Sequence, residues 1–551
     1  MNSLSSPRAR LLVWMAVWFV LAASDLLGAA DRSAAVSTES GLLAWMLPTR
    51  IVRRSANLIS TPLQRGVCAT DGLETVSTVS TTLEKPLKRF LLPTRPDTPL
   101  KRGANERGLQ RRELCDLSGL EARAPEQARH SFPDARAASL ETRAAPRLDP
   151  ADEAFLVELA RRGCLYFWEN ADSRTGLVKD RNRADGPDER TVGSIAATGF
   201  GLTALCVAHE HRWWPRSEVQ ERVRATLRFL RHELPVERGF YYHFVDVRTG
   251  ARVWKCEVSS IDTGLLLCGV LTCRQHFHDA EIRRLAREIY ERVDWTWLLT
   301  TNHTLGHGWK PESGMLKNDW DSYCELMLLY LLAMGSPTHP IPADSWRAWR
   351  RPWVEHEGLR FISAPTDAPA PLFVHQYSHA WFDFRSRRDD WTNYFANSVA
   401  ATEAHRRFCA GLGERFRHFG EEIWGITASD SSRGYVVWGG PPAHGPLDGT
   451  VVPCAAAGSL PFLPRETQRT LRLMRERWGA RAWGRYGFVD AFNPATGWVN
   501  PDVIGIDVGI TVLMAENARH GWVWKTFMKN PEMETAMKKA GFHPDRPARP
   551  R

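Results

Sequence analysis

The segment NDWDSYCELMLLYLLAMGS, residues 318–336, begins with acids and ends in an apolar run. Asp319, Asp321 and Glu325 precede a stretch that carries no charged side chain. A helix that is apolar on all sides must be buried inside a protein. Asp321 and Glu325 are four residues apart, so a helix would place both on one face. The segment therefore predicts a buried helix with carboxylates at its beginning.

Helices of this apolar kind alternate along the chain with amphipathic ones. Amphipathic helices have one face for water, whereas apolar ones need protein on every side. The predicted apolar helices are 195–208, 260–273, 322–334, 376–385, 452–460 and 506–516. The predicted amphipathic helices are 152–168, 217–232, 280–294, 343–351, 396–418 and 465–478.

Strict alternation of six buried and six half-exposed helices predicts an inner ring surrounded by an outer ring. The expected fold is therefore all-α, an (α/α)6 barrel. A helical solenoid is the alternative, but the spacing of these helices is irregular and shows no repeat consensus. Strands should be confined to loops such as 239–254, GFYYHFVDVRTGARVW, whose alternating aromatic residues favour a hairpin.

The N-terminal region predicts export. Residues 1–30 carry Arg8 and Arg10 before an apolar stretch that ends in small residues, as in a signal peptide or an uncleaved membrane anchor. Residues 31–150 are rich in Arg, Ala, Ser, Thr and Pro and predict a low-order tether. The barrel domain is expected over 151–551, in a periplasmic or secreted protein.

Composition disfavours several classes of protein. The net charge of +9 comes without a basic stripe, which argues against a nucleic-acid surface. The ten cysteines include no CxxC pair, so neither a zinc site nor a particular disulfide is indicated. No metal and no cofactor is expected. The sequence leaves the oligomeric state open.

Loops rich in Gly, aromatic and acidic residues precede the apolar helices. Because all inner helices of such a barrel run in the same direction, these loops converge at one end. Glu257 and Asp262 mark the beginning of the 260–273 helix, which is a ring neighbour of the helix beginning near Asp321 and Glu325. Two groups of carboxylates beside one cleft suit glycoside hydrolysis, in which one acid protonates the leaving oxygen and another activates water or attacks the sugar. The alternative is that these acids only cap helices.

Tryptophan supports a carbohydrate cleft. Twenty of the 23 tryptophans follow residue 150, and several occur in the same loops as the acids. An indole offers a flat apolar face and one polar edge, which suits the face of a sugar ring. The loop tryptophans are Trp254, Trp309, Trp320, Trp381, Trp424 and Trp498.

Several long motifs give the chain a specific resemblance. VGSIAATGFGLTAL, CEVSSIDTGLLL, DSYCELMLLYLLAMGSPTHPIP, PLFVHQYSHAWFDFR, YGFVDAFNPATGW and GIDVGITVLMAEN occur in this order between residues 192 and 517. They resemble the glucoamylase-like family of exported bacterial proteins. The chain is similar to glycoside hydrolase family 144, whose characterised members are endo-β-1,2-glucanases, and more remotely to the transglycosylating domain of cyclic β-1,2-glucan synthases.

The resemblance implies an (α/α)6 barrel and metal-free hydrolysis with inversion at the anomeric carbon. It identifies Glu325 with the general acid, and Glu257 and Asp262 with acids that position water or substrate. The identity of the base stays open, and Asp321 is one candidate. The chain departs from the family pattern at Cys324, where Asn is expected, and at Val508, where Gln is expected.

Further motif positions are expected to bind substrate. Each supplies an aromatic ring, a hydroxyl, an amide, an imidazole or a carboxylate that suits a sugar. They are Trp309, Tyr323, Gln376, Tyr377, His379, Trp424, Asp430, Asp490, Asn493, Asp507, Glu516 and Asn517.

The leading hypothesis is an exported glycoside hydrolase that cleaves a glucan, with β-1,2-glucan as the favoured substrate. A glucan transglycosylase on the same barrel and a non-catalytic glycan-binding protein are the alternatives. A lyase is less favoured, because the cleft loops are acidic rather than basic. Linkage, endo or exo action, and hydrolysis or transfer depend on cleft shape, which the sequence does not specify.

Overall fold

The computed structural model describes residues 149–365, 369–441 and 445–545. The predicted signal peptide or anchor, 1–30, and the predicted tether up to residue 148 lie outside the described residues. Within the described residues, no helix combines the length and the apolar character that a membrane span requires.

The helices follow the predicted alternation. They are α1 (Pro150–Glu169), α2 (Ile195–His211), α3 (Arg216–His232), α4 (Ser260–His276), α5 (Ala280–Glu291), α6 (Met327–Gly335), α7 (Ser345–Ala348), α8 (Tyr394–Gly411), α9 (Pro453–Ala457), α10 (Pro464–Ala482), α11 (Gly505–His520), α12 (Trp522–Phe527) and α13 (Pro531–Lys539). Short 3-10 segments occur at Trp295–Leu298, Leu372–His375, Ser378–Ala380 and Leu412–Glu414.

The strands are short and lie in the loops. They are β1 (Arg181–Arg183), β2 (Val192–Ser194), β3 (Val236–Glu237), β4 (Phe240–Tyr241), β5 (Phe244–Asp246), β6 (Val258–Ser259), β7 (Gly308–Lys310), β8 (Gly314–Met315), β9 (Trp353–His356), β10 (Leu359–Ile362), β11 (Arg387–Arg388), β12 (Ser429–Ser431), β13 (Gly434–Val436), β14 (Trp483–Gly484), β15 (Gly487–Phe488), β16 (Phe492–Asn493), β17 (Trp498–Val499), β18 (Asp502–Ile504) and β19 (His543–Pro544). They form antiparallel pairs and one three-stranded sheet, β6-β7-β8.

The inner helices are parallel, as the alternation predicts. Cys206 on α2 contacts Cys273 on α4, and His209 contacts His276, with the same offset of 67 residues in both pairs. A constant offset means that the two helices run side by side in one direction. Their backbones meet at Gly199, where an added Cβ would lie 2.3 Å from the carbonyl oxygen of Leu265.

Helix α11 closes the ring against α2. An added Cβ on Gly505 would lie 2.8 Å from Ala197, and one on Gly509 would lie 2.4 Å from Phe200, so this pair is also parallel. Outer helix α1 packs on α11 through Gly163, which faces Val512. With the relatives described below, this arrangement confirms the predicted (α/α)6 barrel.

Burial explains the difference between the two rings. On inner helix α4, every residue from Ser260 to Cys273 is buried. On outer helix α3, only one face is buried, including Val223, Leu227 and Leu230. Each fully buried leucine or valine contributes about 1.5–3 kcal/mol relative to leaving it exposed.

Two predicted inner helices differ in the structure. The predicted helix 322–334 begins only at Met327, because nearby backbone groups are bonded elsewhere: Tyr323 N donates to the carbonyl of Arg350, and Arg350 N donates to the carbonyl of Asp321. The predicted helix 376–385 is replaced by the 3-10 segments Leu372–His375 and Ser378–Ala380. The side chains of Gln376 and Ser378 connect these 3-10 segments to the neighbouring inner helices.

The predicted hairpin at 239–254 is present. Asp246 N donates to the carbonyl of Ala251, Val253 N donates to that of Phe244, and Val245 bridges Arg252 antiparallel. Strand β5 also pairs with β2, which connects this hairpin to the beginning of α2.

Candidate active site

Carboxylates gather where the inner helices begin. Asp262 lies in the first turn of α4, Asp507 lies in the first turn of α11, and Glu325 lies two residues before the beginning of α6. Because the inner helices are parallel, these side chains belong to one end of the barrel. Free backbone N–H groups and the helix dipole favour negative charge at that end.

The first group of acids is organised by a histidine. Nδ1 of His243 lies 2.9 Å from Oε1 of Glu257, and its Nε2 lies 3.5 Å from Oδ2 of Asp262. Ser259, the N-cap of α4, donates its hydroxyl to the same Asp262 oxygen at 2.5 Å. Burial alone would raise the pKa of Glu257, but the hydrogen bond and charge of His243 lower it to about 2. Glu257 is therefore held as a carboxylate.

Glu325 is buried two residues before α6, the inner helix that packs next to α4. It is only 2% exposed, and its backbone carbonyl accepts the hydroxyl of Ser378 at 2.8 Å. Ser378 also accepts Leu328 N at 3.0 Å, so one hydroxyl joins the 3-10 segment to the beginning of α6. The Trp320 indole donates to Ser260 at 2.8 Å, which fastens the loop of Glu325 to the beginning of α4.

Cys324 is next to Glu325 in space as well as in sequence. It is the only cysteine among the described residues that is partly exposed. Burial and the adjoining Glu325 carboxylate raise the pKa of the thiol well above its usual value. The thiol therefore stays protonated beside the Glu325 carboxylate.

The second group of acids lies where α9 and α11 begin. Oδ2 of Asp490 accepts the backbone N–H of Asp430 at 3.0 Å and the amide of Asn500 at 2.9 Å. Arg181 Nη1 donates to Asp430 Oδ2 at 2.7 Å. The guanidinium compensates part of the negative charge in this buried group.

Asp490 and Asp507 form a carboxyl–carboxylate pair. Burial and the charges of Asp507 and Asp430 raise the pKa of Asp490 well above its usual value. Burial likewise raises the pKa of Asp507, while hydrogen bonds from Asp490 and Cys454 limit its value to about 6. Asp490 therefore keeps its proton at a pH where Asp507 is already ionised. A cavity of about 20 Å³ adjoins the pair, which is room for about one water molecule.

Asp321 is not part of either group. Its side chain is 44% exposed and lies 3.3 Å from Arg350. The expected common helical face of Asp321 and Glu325 is wrong, because α6 begins after both residues. Asp319 accepts the hydroxyl of Thr304 at 2.9 Å, within the same loop.

Several predicted binding residues make their contacts inside the protein. The Tyr323 hydroxyl bonds His375 at 3.0 Å, and the Gln376 amide donates to the carbonyl of Ala455 and to Ser459, both at 2.8 Å. These contacts pack the ring. The proposed roles of Tyr323 and Gln376 in substrate binding stay predictions that this geometry does not support.

The remaining predicted residues divide in the same way. His379 is buried, bonds Ser398 at 3.0 Å and has its pKa lowered to about 3 by burial, as in a core histidine. Trp424 and Tyr377 are buried, whereas Trp309 on β7 is half-buried and pairs with Val258. Asn493 accepts Ala495 N at 3.0 Å within its own turn.

Glu516 and Asn517 lie at the opposite end of the barrel. Glu516 pairs with Arg519 at 2.7 Å and with His211, the last residue of α2, at 3.2 Å. Asn517 donates to the carbonyl of Ala380 at 2.9 Å and accepts Trp524 N. Their expected place in the cleft is wrong, because both follow Asp507 by more than two turns of α11.

Three residues of the site were missed by the sequence analysis. His243 is hidden in the aromatic alternation of the hairpin, while Arg181 and Asn500 lie in loops without a motif of their own. For Asn500, the sequence gives no signal beyond its position directly before Pro501. Within the described residues, no three His, Cys, Asp or Glu side chains are grouped so as to hold a metal ion.

The chain is similar in sequence and fold to glucan-degrading enzymes. Residues 317–531 match the family model described as "Putative glucoamylase". The chain is 27% identical over 426 residues to the exo β-1,2-glucooligosaccharide sophorohydrolase (non-reducing end) of Parabacteroides distasonis, covering 70% of this chain and 58% of that protein. The chain thus spans less than two thirds of that curated relative.

Solved structures give the same result. The endo-β-1,2-glucanase of Chitinophaga pinensis, in complex with sophorotriose and glucose, superposes with a TM-score of 0.66 at 26% identity, over 71% of this chain and 98% of that one. The β-1,2-glucanase of Parabacteroides distasonis superposes with a TM-score of 0.66 at 26% identity, over 71% of this chain and 60% of that one. These findings confirm the resemblance predicted from the motifs: the chain is similar to the glucoamylase-like family, and its barrel is built like those of bacterial β-1,2-glucanases.

Proposed function

We propose that this protein is a glycoside hydrolase that cleaves β-1,2-glucan. The observation that carries the proposal is that Glu325 and the His243-bridged acids Glu257 and Asp262 lie where two neighbouring inner helices begin, which the hydrogen bond from Trp320 to Ser260 joins. Similarity to an endo-β-1,2-glucanase and to a sophorohydrolase supports the choice of linkage.

The residues fit distinct roles. Glu325 protonates the leaving glycosidic oxygen, a role that requires its carboxyl group to hold a proton when the substrate binds. Glu257, with its pKa lowered to about 2, stays ionised and orients His243 and the substrate. A base should titrate near the working pH, and the pKa of Asp507, about 6, suits that role better than that of Glu257.

Water activated by a carboxylate across the sugar from the acid would invert the anomeric carbon. In this scheme Asp507 takes the proton of the attacking water while Glu325 releases its own to the departing sugar. Asp490 keeps its own proton, and its interaction with Asp507 helps to set the pKa of that base. The arrangement needs no covalent intermediate.

A panel of glucans with defined linkages tests the proposal. The purified full chain should shorten β-1,2-glucan and leave β-1,3-, β-1,4- and α-1,4-glucans intact, with the α-anomer appearing first by NMR. Glu325→Gln should lower kcat by about 10²–10⁴-fold, the usual contribution of a general acid. Longer or cyclic products would indicate transglycosylation, and binding without turnover in the wild type would indicate a glycan-binding protein.

We also propose that the protein is exported, with residues 1–30 as its signal peptide or anchor. The basic and then apolar order of this stretch supports the proposal. Fractionation of cells that express the full chain should place it outside the cytoplasm. Deleting residues 1–30 should retain it in the cytoplasm.

A further inference from the structure

An exposed tryptophan stands on a strained turn directly before Glu257. Trp254 is 41% exposed, which makes it one of three large apolar residues at the surface of the described chain. Trp254 and Lys255 have φ angles of 54° and 48°, in the left-handed region. Cys256 N donates to the carbonyl of Val253, which closes the two residues into a tight turn. Such turns ordinarily use Asn or Gly, so Trp and Lys here are strained.

The turn is held rigidly despite this strain. Arg252 donates from both terminal nitrogens to Glu312, at 2.6 and 3.0 Å, and its Nε donates to the carbonyl of Cys256 at 2.5 Å. Glu312 lies between β7 and β8, so the ion pair fastens the turn to the three-stranded sheet. The Cys256 thiol is also bonded to the backbone of Phe244, with sulfur 3.2 Å from both N and O.

The indole is connected to the acids through aromatic contacts. Trp254 meets Phe244 edge to face, with ring centroids 5.2 Å apart, and Phe244 stacks on His243 at 3.8 Å. His243 is the residue that bridges Glu257 and Asp262. This contact leaves the indole 41% exposed, three residues before Glu257 in the chain.

We propose that Trp254 is a stacking platform for a glucosyl unit of the substrate. The inference rests on the proposed function and adds to it a binding residue that determines affinity for the glucan chain. A strained backbone persists where the surrounding structure enforces it, and such positions concentrate at functional sites. The contact with Phe244 buries only part of an indole that an ion pair and a buried thiol hold at the surface, so packing alone does not account for the strained turn. The C–H face of a glucose ring is the ligand that fits it at a carbohydrate cleft.

Binding and kinetics of the full chain test the platform. Trp254→Ala should weaken the affinity for β-1,2-gluco-oligosaccharides about tenfold, as measured by calorimetry in the Glu325→Gln background, which corresponds to about 1.4 kcal/mol. In the otherwise unchanged enzyme, it should raise KM about as much and leave kcat within about twofold, since the platform does not touch the reacting atoms. Trp254→Phe should keep most of the affinity.

Two further variants separate binding from folding. Asn tolerates the left-handed region, so Trp254→Asn should keep or raise Tm while losing affinity as Trp254→Ala does. Trp353→Ala is the matched control, because Trp353 is 44% exposed on hairpin β9–β10, which packs on outer helix α8. Its affinity and KM should equal those of the wild type.

The outcomes separate the two proposals. If Trp254→Ala and Trp254→Asn bind and turn over β-1,2-glucan as the wild type does, the platform is wrong and the proposed function stands. If the wild type neither binds nor cleaves β-1,2-glucan, the proposed function is wrong and the platform is wrong with it. A loss of affinity shared by Trp353→Ala would also overturn the platform.

Discussion

Nδ1 of His243 lies 2.9 Å from Oε1 of Glu257, and this contact joins strand β5's loop to the residue that precedes β6. The imidazole reaches Asp262 with its other nitrogen. One histidine thus contacts two carboxylates that lie five residues apart, one before β6 and one in the first turn of α4. Stability and activity should both depend on it.

Acid should weaken the fold through Glu257. The pKa of Glu257 is lowered from 4.5 to about 2 in the folded protein. Its contribution to the free energy of unfolding is therefore full above pH 4.5 and disappears as the pH falls toward 2, with an upper size of about 3 kcal/mol. Urea denaturation at pH 6 should find Glu257→Gln less stable than the wild type.

The difference between the two proteins should shrink at pH 3. A difference that is the same at both pH values would contradict the ionic account of this contact. The exposed ion pair of Asp321 and Arg350 provides a control, since Asp321→Asn should change stability by no more than about 1 kcal/mol at either pH.

The pair of Asp490 and Asp507 predicts the opposite dependence on pH. The pKa of Asp507 is raised from 3.8 to about 6, so the folded protein retains a proton that the unfolded chain has released. The free energy of unfolding therefore falls as the pH rises from 3.8 to about 6, by at most about 3 kcal/mol. Asp507→Asn should therefore raise the stability at pH 7 and leave it nearly unchanged at pH 3.5.

The same substitution should remove most of the activity, because the proposed base is lost. Thermal denaturation and turnover of β-1,2-glucan, both at pH 7, measure the two effects on one sample. A variant that is both less stable and less active at pH 7 would contradict the raised pKa of Asp507. Stability gained at the expense of activity is common where a site holds unfavourable charges.

The close approach of α2 and α4 should not tolerate a methyl group. A Cβ on Gly199 would lie 2.3 Å from the Leu265 carbonyl oxygen, and one on Gly269 would lie 2.1 Å from that of Gly199. Gly199→Ala and Gly269→Ala should each destabilise the protein by about 1–3 kcal/mol or more, as overpacking does.

Gly411, at the end of α8, is the matched control for this test. A Cβ there meets no atom within 4 Å. Gly411→Ala should leave Tm unchanged or raise it slightly, because Ala restricts the unfolded chain and favours helix. Equal Tm values for all three variants would show that the two helices can move apart without cost.

Cys324 should react slowly with alkylating reagents even though it is partly exposed. The thiolate is the reactive form, and burial together with Glu325 raises the pKa of this thiol. Mass spectrometry after treatment with iodoacetamide at pH 8 should find Cys324 modified little faster than the buried Cys268 in the native protein. Rapid and selective modification of Cys324 would contradict the raised pKa of its thiol.

The ring architecture was predictable because burial repeats along the chain. The apolar segment 260–273 can be told from the amphipathic segment 217–232 because Asp262 is its only charged residue. The structure places the first on the inner ring and the second on the outer ring. The end of the barrel to which Glu257, Asp262 and Glu325 belong was predictable because they lie near the beginnings of apolar helices. Position along an inner helix thus predicts the end of the barrel to which a residue belongs.

The failures have a different cause. Residues 322–326 are not helical because Arg350, distant in sequence, forms hydrogen bonds with the backbone of Asp321 and Tyr323. In the segment predicted as helix 376–385, Gln376 N and Ala380 N donate to carbonyls three residues back, which gives 3-10 turns instead of an α-helix. His243 joins the site through a hairpin whose side chains alternate as in any strand. Contacts of this kind depend on the finished tertiary structure, and a local pattern does not encode them.

Glu516 tests whether the substrate binds only at the end of the barrel where the inner helices begin, because Glu516 lies at the other end. Its side chain is 2% exposed and pairs with Arg519, which is 6% exposed and also contacts Glu153. Glu516→Ala leaves buried positive charge less compensated and should destabilise the protein by about 3 kcal/mol, the lower end for a broken buried pair. Glu516 follows Asp507 by nine residues of helix α11, or about 13 Å along its axis. Turnover of β-1,2-glucan at a temperature well below Tm should therefore keep the wild-type KM and kcat, whereas a raised KM at unchanged stability would mean that substrate also reaches the ends of the inner helices at His211 and Glu516.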